Sequence, residues 1–313
     1  MSAPKAFAIL GPTAGGKTAL ALQIAEHLPV EIISLDSALV YRDMDIGTAK
    51  PTLEERSAAP HHLIDIISPL QSYSAAEFVR DCTRLVVEIH ERGRLPLIVG
   101  GTMMYFHALT AGLNNLPEAD AATRAALQAD KAAYGLSYLY EKLKICDPDS
   151  ASRLQPADSQ RIERALEVFM LTGKPLSRHF AEQQQYTPPL DLHTIALIPE
   201  NRALLHEQIG KRFDSMLAQG FLDEMQMLRG KYPELTADMP SMRCVGYRQA
   251  WDYLEGLENY ADFVEKGKAA TRQLAKRQLT WLRKIPLSAS LDPYGGQDCF
   301  PTAEALLKQH FDV

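Results

Sequence analysis

Residues 11–18 read GPTAGGKT and fit the pattern G-x-x-x-x-G-K-[ST], which is typical of loops that bind phosphate groups. The apolar run AFAIL (6–10) precedes the loop, and a stretch with helical periodicity (18–28) follows it. The backbone N–H groups of such a loop and the N-terminus of the next helix attract anions. The sequence therefore predicts an α/β fold with a phosphate site after its first strand.

Further apolar runs extend this pattern along the chain. They predict buried strands at EIISL (31–35), HLIDII (62–67), LPLIV (95–99) and HTIALIP (193–199). Helices are predicted at 18–28, 74–92, 201–218, 221–230 and 261–284. Strands that alternate with helices indicate a parallel sheet covered on both faces. We predict a P-loop NTPase-like parallel sheet flanked by helices.

The strand signal is absent from about residue 117 to residue 190. Helical patterns occupy 117–135, 137–147 and 158–175, and the last stops with Gly173 followed by Pro175, which favour a helix end. We therefore predict two domains. Residues 1–116 and 191–313 form a P-loop core domain with C-terminal helices, and residues 117–190 form an all-helical insertion domain.

The composition restricts the class of protein. The formal net charge of −6 excludes a uniformly basic surface, although a local basic patch is compatible with it. Four scattered cysteines without a C-x-x-C pair indicate neither a disulfide framework nor a four-ligand zinc site. No apolar run is long enough for a signal peptide or a membrane span. We expect a soluble cytoplasmic protein.

The residues around the loop leave its ligand open. Lys17 can bind a phosphate group, and the Thr18 hydroxyl can bind Mg²⁺. Nucleotide hydrolases usually also hold Mg²⁺ through an Asp at a second strand end. LPLIV ends instead in Gly100-Gly101-Thr102, whereas EIISL is followed by Asp36. Asp36 can support Mg²⁺, act as a base facing the loop, or form a helix cap or turn.

Several segments together resemble the tRNA dimethylallyltransferases, also called tRNA isopentenyltransferases, in their short bacterial form. They are GPTAGGKT, DSALVYRDMDIGTAKP (36–51), PHHLID (60–65), GGTMMY (100–105) and RCVGYR (243–248). The resemblance implies transfer of a dimethylallyl group from dimethylallyl diphosphate to the exocyclic amine of the adenosine immediately 3′ of the tRNA anticodon. Diphosphate, rather than a nucleotide, would then occupy the loop.

The resemblance also implies roles for residues near the reacting groups. Asp36 would accept the proton of the amine, and Thr102 would position the reactants. The diphosphate would bind Gly11, Thr13, Ala14, Gly15, Gly16, Lys17, Thr18 and Arg212. Mg²⁺ is the implied cofactor, with Thr18 as its protein ligand.

The implied tRNA surface includes a basic segment near the C-terminus. Residues 266–284 contain seven basic residues and no acid, and Lys268, Arg272, Lys276 and Arg283 follow one helical stripe. Tyr247 is expected to offer an aromatic stacking surface to an extruded base. The tRNA contacts implied are Ser37, Ala38, Leu39, Arg124, Gln160, Arg161, Arg164, Arg243, Cys244, Gly246, Tyr247, Arg248, Arg272, Lys276, Arg277 and Arg283. The partners expected are the tRNA anticodon stem-loop and dimethylallyl diphosphate, with no membrane, and the protein is expected to be a monomer.

Some residues depart from the family, and two alternatives remain. Many members have Gln at Leu39, Gly at Asp43, and Gly-Leu at Met103-Met104, positions that touch the base pocket. A P-loop nucleotide kinase would need ATP and would use residues 117–190 as a lid. A non-catalytic RNA-binding module would explain the basic segment, but not a phosphate loop beside Asp36.

Overall fold

The computed structural model describes residues 3–113, 116–117, 120–182 and 186–313. The chain divides into two compact units, one of Met1–Thr110 with Pro188–Val313 and one of Ala111–Thr187. The predicted insertion, residues 117–190, overlaps the second unit. Within the described parts of the chain, no helix combines the length and apolar character needed to cross a membrane.

The first unit is built on a parallel sheet, whose strand order is β3-β2-β4-β1-β5-β6 across the described residues. The strands are β1 (Lys5–Leu10), β2 (Val30–Leu35), β3 (His61–His62), β4 (Leu95–Gly100), β5 (Asp191–Leu197) and β6 (Ala289–Leu291). β1 lies at the centre, where Phe7 pairs with Leu97 of β4 on one side and His193 of β5 on the other. The predicted P-loop NTPase-like parallel sheet is confirmed.

Helices cover both faces of the sheet. In chain order the helices of the described residues are α1 (Lys17–His27), α2 (Leu53–Ala58), α3 (Ala75–Glu91), α4 (Met103–Ala111), α5 (Ala121–Cys146), α6 (Pro148–Arg153), α7 (Ser159–Thr172), α8 (Leu176–Ala181), α9 (Arg202–Ala218), α10 (Phe221–Lys231), α11 (Tyr247–Leu254), α12 (Tyr260–Leu282) and α13 (Phe300–Phe311). A 3-10 turn covers Ser241–Arg243. α3 begins at Ala75 because Ser74 and Glu77 form a reciprocal capping box.

The central strands are mainly apolar because each side of the sheet has its own buried core. Ala8 and Leu10 of β1 pack in one core with Phe78 of α3. Phe7 and Ile9 point to the other core, which α1 and α13 complete. Successive side chains of a strand point to opposite faces, so both sets are excluded from water.

Two strands differ from the sequence prediction. The predicted strand HLIDII (62–67) is wrong beyond His62, because Leu63 and Asp65 adopt left-handed backbone with φ of 61° and 58°. Lys50 and Arg56 hold the Asp65 carboxylate, with 2.8 Å between Arg56 Nη1 and Asp65 Oδ2. The short strand β6 was not predicted, since its residues lack a buried apolar run.

The second unit is helical in its described residues. Its longest helix, α5, is sharply kinked at Gly135, where φ is 83° and ψ is 167°. Leu127 and Leu139, on either side of the kink, pack with Ile162 of α7. α7 ends at Thr172, and its C-cap Gly173 has left-handed backbone with φ of 69°, which confirms the predicted helix end.

Candidate active site

Three neighbouring strand ends carry the residues that the sequence singled out. β1 leads into GPTAGGKT, β2 into Asp36, and β4 into Gly101-Thr102. β4 lies between β1 and β2, and all three strands are parallel. Their carboxyl ends therefore meet at one edge of the sheet, where ligands bind in open α/β folds.

The phosphate loop makes a tight turn before α1. The Gly15 N–H donates to Pro12 O at 3.1 Å, and a Cβ atom at Gly15 would lie only 2.9 Å from that oxygen. Ala14 and Gly16 have left-handed backbone, with φ of 60° and 80°. This curvature brings the chain to the N-terminus of α1, where Thr18 is exposed.

Two cationic side chains lie near Asp36. Lys17 Nζ donates to Pro12 O at 2.7 Å, and burial lowers the pKa of Lys17 to about 8, with the Asp36 carboxylate partly opposing this shift. Burial also lowers the pKa of Arg212, on α9, and Asp36 again opposes the shift. Arg212 Nε is buried without a hydrogen-bond partner among the described residues. A buried donor of this kind is costly, so the pair is suited to an anionic ligand.

Asp36 and Thr102 each form hydrogen bonds with the segment that follows β2. Asp36 Oδ1 accepts from the Ala38 N–H at 2.8 Å, which sets the direction of the chain after β2. Thr102 Oγ1 accepts from the Ser37 N–H at 3.0 Å and donates to Ser37 Oγ at 3.3 Å. Thr102 thus joins the ends of β2 and β4. Ser37 is exposed, and Ala38 and Leu39 are half-buried.

Two residues that the sequence did not indicate hold the phosphate loop. Gln278, on α12, accepts from the Thr13 N–H at 2.8 Å and donates to Gly101 O at 2.9 Å. The Tyr294 hydroxyl donates to Ala14 O. The role of Gln278 could have been predicted from its position on the apolar face of α12, because a lone polar residue there needs buried hydrogen-bond partners.

The expected stacking role of Tyr247 needs correction. Its side chain is 0% exposed, its ring packs edge-on against Phe221, and its hydroxyl donates to Glu224 Oε1 at 2.6 Å. Glu224 also accepts from the N–H groups of residues 45, 46 and 47 at 2.8, 2.6 and 3.1 Å. Tyr247 therefore supports the 36–51 segment, and its ring presents no surface to a base.

α12 and α9 border a basic groove of about 430 Å³. Three predicted tRNA contacts line it, Arg272, Lys276 and Arg283, and they are joined by Arg202 and His206 of α9. Arg277 is exposed on the same helix.

Two of the seven basic residues counted in this segment are compensated by acids elsewhere in the chain. Lys268 Nζ lies 2.7 Å from Asp214 Oδ1, and Lys266 pairs with Glu258. The expected stripe therefore begins at Arg272 rather than at Lys268.

The predicted contacts around α11 differ in exposure. Arg243 is exposed at the end of the 3-10 turn, whereas Gly246 is buried at the N-cap of α11 with φ of 93°. Arg248 donates to Ala237 O at 3.2 Å and to Asp252 Oδ2 at 3.4 Å, so its charge is partly balanced. Burial, together with the nearby Asp36 carboxylate, raises the pKa of Cys244 to about 12. Cys244 is therefore a neutral thiol near Asp36.

In the second unit, two predicted contacts have a shared structural partner. Arg124 Nε and Arg164 Nη1 bind the Glu167 carboxylate at 2.8 and 2.7 Å, and Glu167 is only 1% exposed. Arg164 also donates to Pro117 O at 2.7 Å. Gln160 and Arg161 are exposed at the start of α7, with Arg161 Nη1 3.3 Å from Asp158. Arg164 is half-buried, whereas Arg124, Gln160 and Arg161 are exposed.

The residues present would fit Mg²⁺ bound jointly by protein and phosphate oxygens, rather than in a site made of protein side chains alone. In the described part of the chain, no group of three or more His, Cys, Asp or Glu side chains could hold a metal. Mg²⁺ commonly binds through one or two protein ligands together with phosphate oxygens and water. The exposed Thr18 hydroxyl at the end of the phosphate loop provides a donor of that kind.

The chain is similar to known proteins over most of its length. The family described as IPP transferase matches residues 39–285. The chain belongs to the IPP transferase family. It is 66% identical to the tRNA dimethylallyltransferase of Neisseria meningitidis serogroup A over the full length of both chains. It is 58% identical to the tRNA dimethylallyltransferase of Chromobacterium violaceum, covering 94% of this chain and 91% of that relative.

Solved structures also resemble this chain. The tRNA isopentenylpyrophosphate transferase of Bacillus halodurans is 37% identical with a TM-score of 0.70, covering 99% of this chain and 98% of that one. A eukaryotic dimethylallyltransferase acting on tRNA is 28% identical with a TM-score of 0.78, covering 96% of this chain and 77% of the other.

Proposed function

We propose that this chain transfers a dimethylallyl group from dimethylallyl diphosphate to the exocyclic amine of the adenosine immediately 3′ of the tRNA anticodon. The observation that carries the proposal is that Asp36, directly after β2, lies near Lys17 of the phosphate loop and Arg212 of α9. Cations suit a departing diphosphate, and a carboxylate suits an amine that loses a proton. The names of the relatives support the same reaction.

The donor binds at the phosphate loop. As the C–O bond to the leaving group breaks, its electron pair moves onto diphosphate, and the negative charge there increases. Lys17, Arg212 and the N-terminus of α1 are positioned to stabilise that charge without reorganising. When bound, Mg²⁺ would supply further charge neutralisation, with Thr18 as its protein ligand.

The acceptor reacts on the side of Asp36 and Thr102. The amine nitrogen forms the new C–N bond, and one N–H proton passes to the Asp36 carboxylate. The Ala38 N–H at 2.8 Å fixes that carboxylate, and the Thr102–Ser37 hydrogen bonds fix the neighbouring backbone. Such positioning converts a weak nucleophile into an effective one.

The RNA partner follows from the groove between α9 and α12. Arg272, Lys276 and Arg283 line it, and Arg277 is exposed beside it. Clusters of Arg and Lys bind nucleic-acid phosphates and release counterions. One chain supplies Asp36, Thr102, the phosphate loop and this groove, so we propose that a monomer acts on tRNA, in the cytoplasm.

The alternative is a P-loop nucleotide kinase, which would require ATP. The strand end at Gly101-Thr102 carries no acid to share Mg²⁺ with Thr18, which favours a prenyl donor.

The test combines purified protein, Mg²⁺, labelled dimethylallyl diphosphate and an unmodified tRNA anticodon stem-loop, without ATP. We expect label in the RNA and release of one diphosphate per transfer. A stem-loop with another base in place of the target adenosine is the matched control and should remain unlabelled. Product that forms only with ATP would contradict the proposal and favour the kinase.

A further inference from the structure

Gln278 connects two parts of the site that are far apart in sequence. It lies on α12, is 8% exposed, and bridges the Thr13 N–H and Gly101 O at 2.8 and 2.9 Å. Thr13 belongs to the phosphate loop, and Gly101 immediately precedes Thr102. We propose that Gln278 is a positioning residue for prenyl transfer, which fixes the spacing between the bound diphosphate and Thr102. The inference rests on the proposed function.

Among side chains of this length, the amide alone meets both partners. The Thr13 N–H requires an acceptor and the Gly101 carbonyl requires a donor, so the partners themselves determine which end of the amide is oxygen. Glutamate would keep the acceptor but, when ionised, could not donate to Gly101 O. Methionine would fill the same volume and form neither hydrogen bond.

The absence of a side chain at Gly101 makes room for this contact. A Cβ atom built on Gly101 would lie 2.4 Å from Gln278 Nε2 and 2.9 Å from Gly11 O. Real side chains do not approach so closely, so the glycine leaves the space that the amide occupies. The phosphate loop, the end of β4 and α12 therefore meet at one buried point.

The contact acts on geometry rather than on affinity for RNA. Gln278 touches backbone groups of the loop and of β4, whereas the exposed cations Lys276 and Arg277 of the same helix face solvent. Transfer requires the diphosphate, the allylic carbon and the amine to be aligned, and a displacement near 1 Å can cost about 100-fold in rate. Loss of the bridge should therefore lower kcat more than it raises KM for tRNA.

The experiment compares wild type with Gln278→Met and Gln278→Glu. The matched control is Gln226→Met, which changes an exposed glutamine on α10. Steady-state kcat and KM for the anticodon stem-loop are measured at saturating dimethylallyl diphosphate, together with Tm for each protein. We expect kcat to fall about 10- to 100-fold in both Gln278 variants, KM for RNA to change less than about threefold, and the control to match wild type.

The outcomes separate the inference from the proposed function. Wild type without prenyl transfer would contradict the function itself. Active wild type with kcat within about twofold in both Gln278 variants would overturn the positioning role, as would a raised KM for RNA with unchanged kcat. If both variants fail to fold at the assay temperature, Gln278 acts in stability alone and the inference is wrong.

Discussion

The hydroxyl group of Tyr247 donates a hydrogen bond to Glu224 Oε1 at 2.6 Å, in a core where both side chains are buried. Tyr247→Phe removes this donor and leaves Glu224 with only backbone donors. A hydrogen bond to a charged group contributes roughly 1.5–3 kcal/mol, so we expect the free energy of unfolding to fall by about 2 kcal/mol. Denaturant unfolding measures this change. Affinity for the anticodon stem-loop should stay within about twofold.

Tyr260→Phe provides the control, because this tyrosine is 49% exposed on α12. It should change neither quantity. If Tyr247→Phe had normal stability but bound RNA much more weakly, Tyr247 would be an RNA contact after all.

Asp36→Asn tests the proton acceptor while preserving the local turn. The asparagine oxygen can still accept from the Ala38 N–H, but the amide cannot take a proton from the amine. Turnover should fall by about 10²–10⁴, the usual contribution of a general base, with stem-loop affinity unchanged. Asp298→Asn is the matched control, since Asp298 also accepts from the backbone two residues on, at 2.9 Å to the Phe300 N–H. More than a tenth of normal turnover in the Asp36 variant would exclude Asp36 as the base.

The lowered pKa of Lys17 predicts that binding of dimethylallyl diphosphate depends on pH. Burial lowers the pKa of Lys17 to about 8, so the free protein loses this ammonium charge as the pH rises through that value. Below pH 8, titration of Lys17 should not change the affinity for dimethylallyl diphosphate. At pH 9 it should be about tenfold weaker, because binding must then restore the proton. Calorimetric titration between pH 6.5 and 9.5 measures this.

The lowered pKa of Lys17 weakens donor binding as the pH rises, but it has the opposite effect on the stability of the fold. Because the pKa of Lys17 is lower in the folded chain than its ordinary value of 10.5, the unfolded chain holds more protons between pH 8 and 10.5. Lys17 alone therefore makes the free energy of unfolding rise with pH over that window. Lys17→Met should remove both effects, and Lys211→Met, at an exposed lysine paired with Glu207, should preserve them. An identical pH profile in Lys17→Met and wild type would exclude Lys17 as the source.

Lys276 and Lys266 form a matched pair on α12 for the RNA surface. Lys276 lines the basic groove, whereas Lys266 is paired with Glu258. Lys276→Ala should weaken stem-loop binding and reduce the slope of log affinity against log salt by about 0.7–0.9, the value for one phosphate contact. Lys266→Ala should leave the slope unchanged. If the salt-dependence slopes of Lys276→Ala and wild type were equal, Lys276 would not contact an RNA phosphate.

The sequence predicted the sheet well where apolar runs are long. β1, β2, β4 and β5 coincide closely with runs that are covered on both faces. It failed at residues 63–67, because the left-handed backbone there depends on Lys50 and Arg56 binding Asp65. A local pattern cannot show a tertiary ion pair that overrides strand propensity.

The candidate site was predictable where motif and strand end coincide. The structure brings the phosphate loop, Asp36 and Thr102 to one edge, as the alternation of strands and helices indicated. Tyr247 was placed wrongly because Glu224, its partner, precedes it by 23 residues and gives no local signal. For the same reason, the sequence did not predict that Asp214, 54 residues earlier, would balance the charge of Lys268.

The long-range contacts of the phosphate loop have a consequence for synthesis on the ribosome. The loop is translated well before its supports, because Gln278 and Tyr294 follow the residues they hold by 265 and 280 positions. Domains fold as their segments become available during synthesis, N-terminal parts first. During synthesis the phosphate loop therefore lacks these hydrogen bonds until Gln278 and Tyr294 have been translated, and a truncated product that ends before Gln278 would retain the motif without its supports.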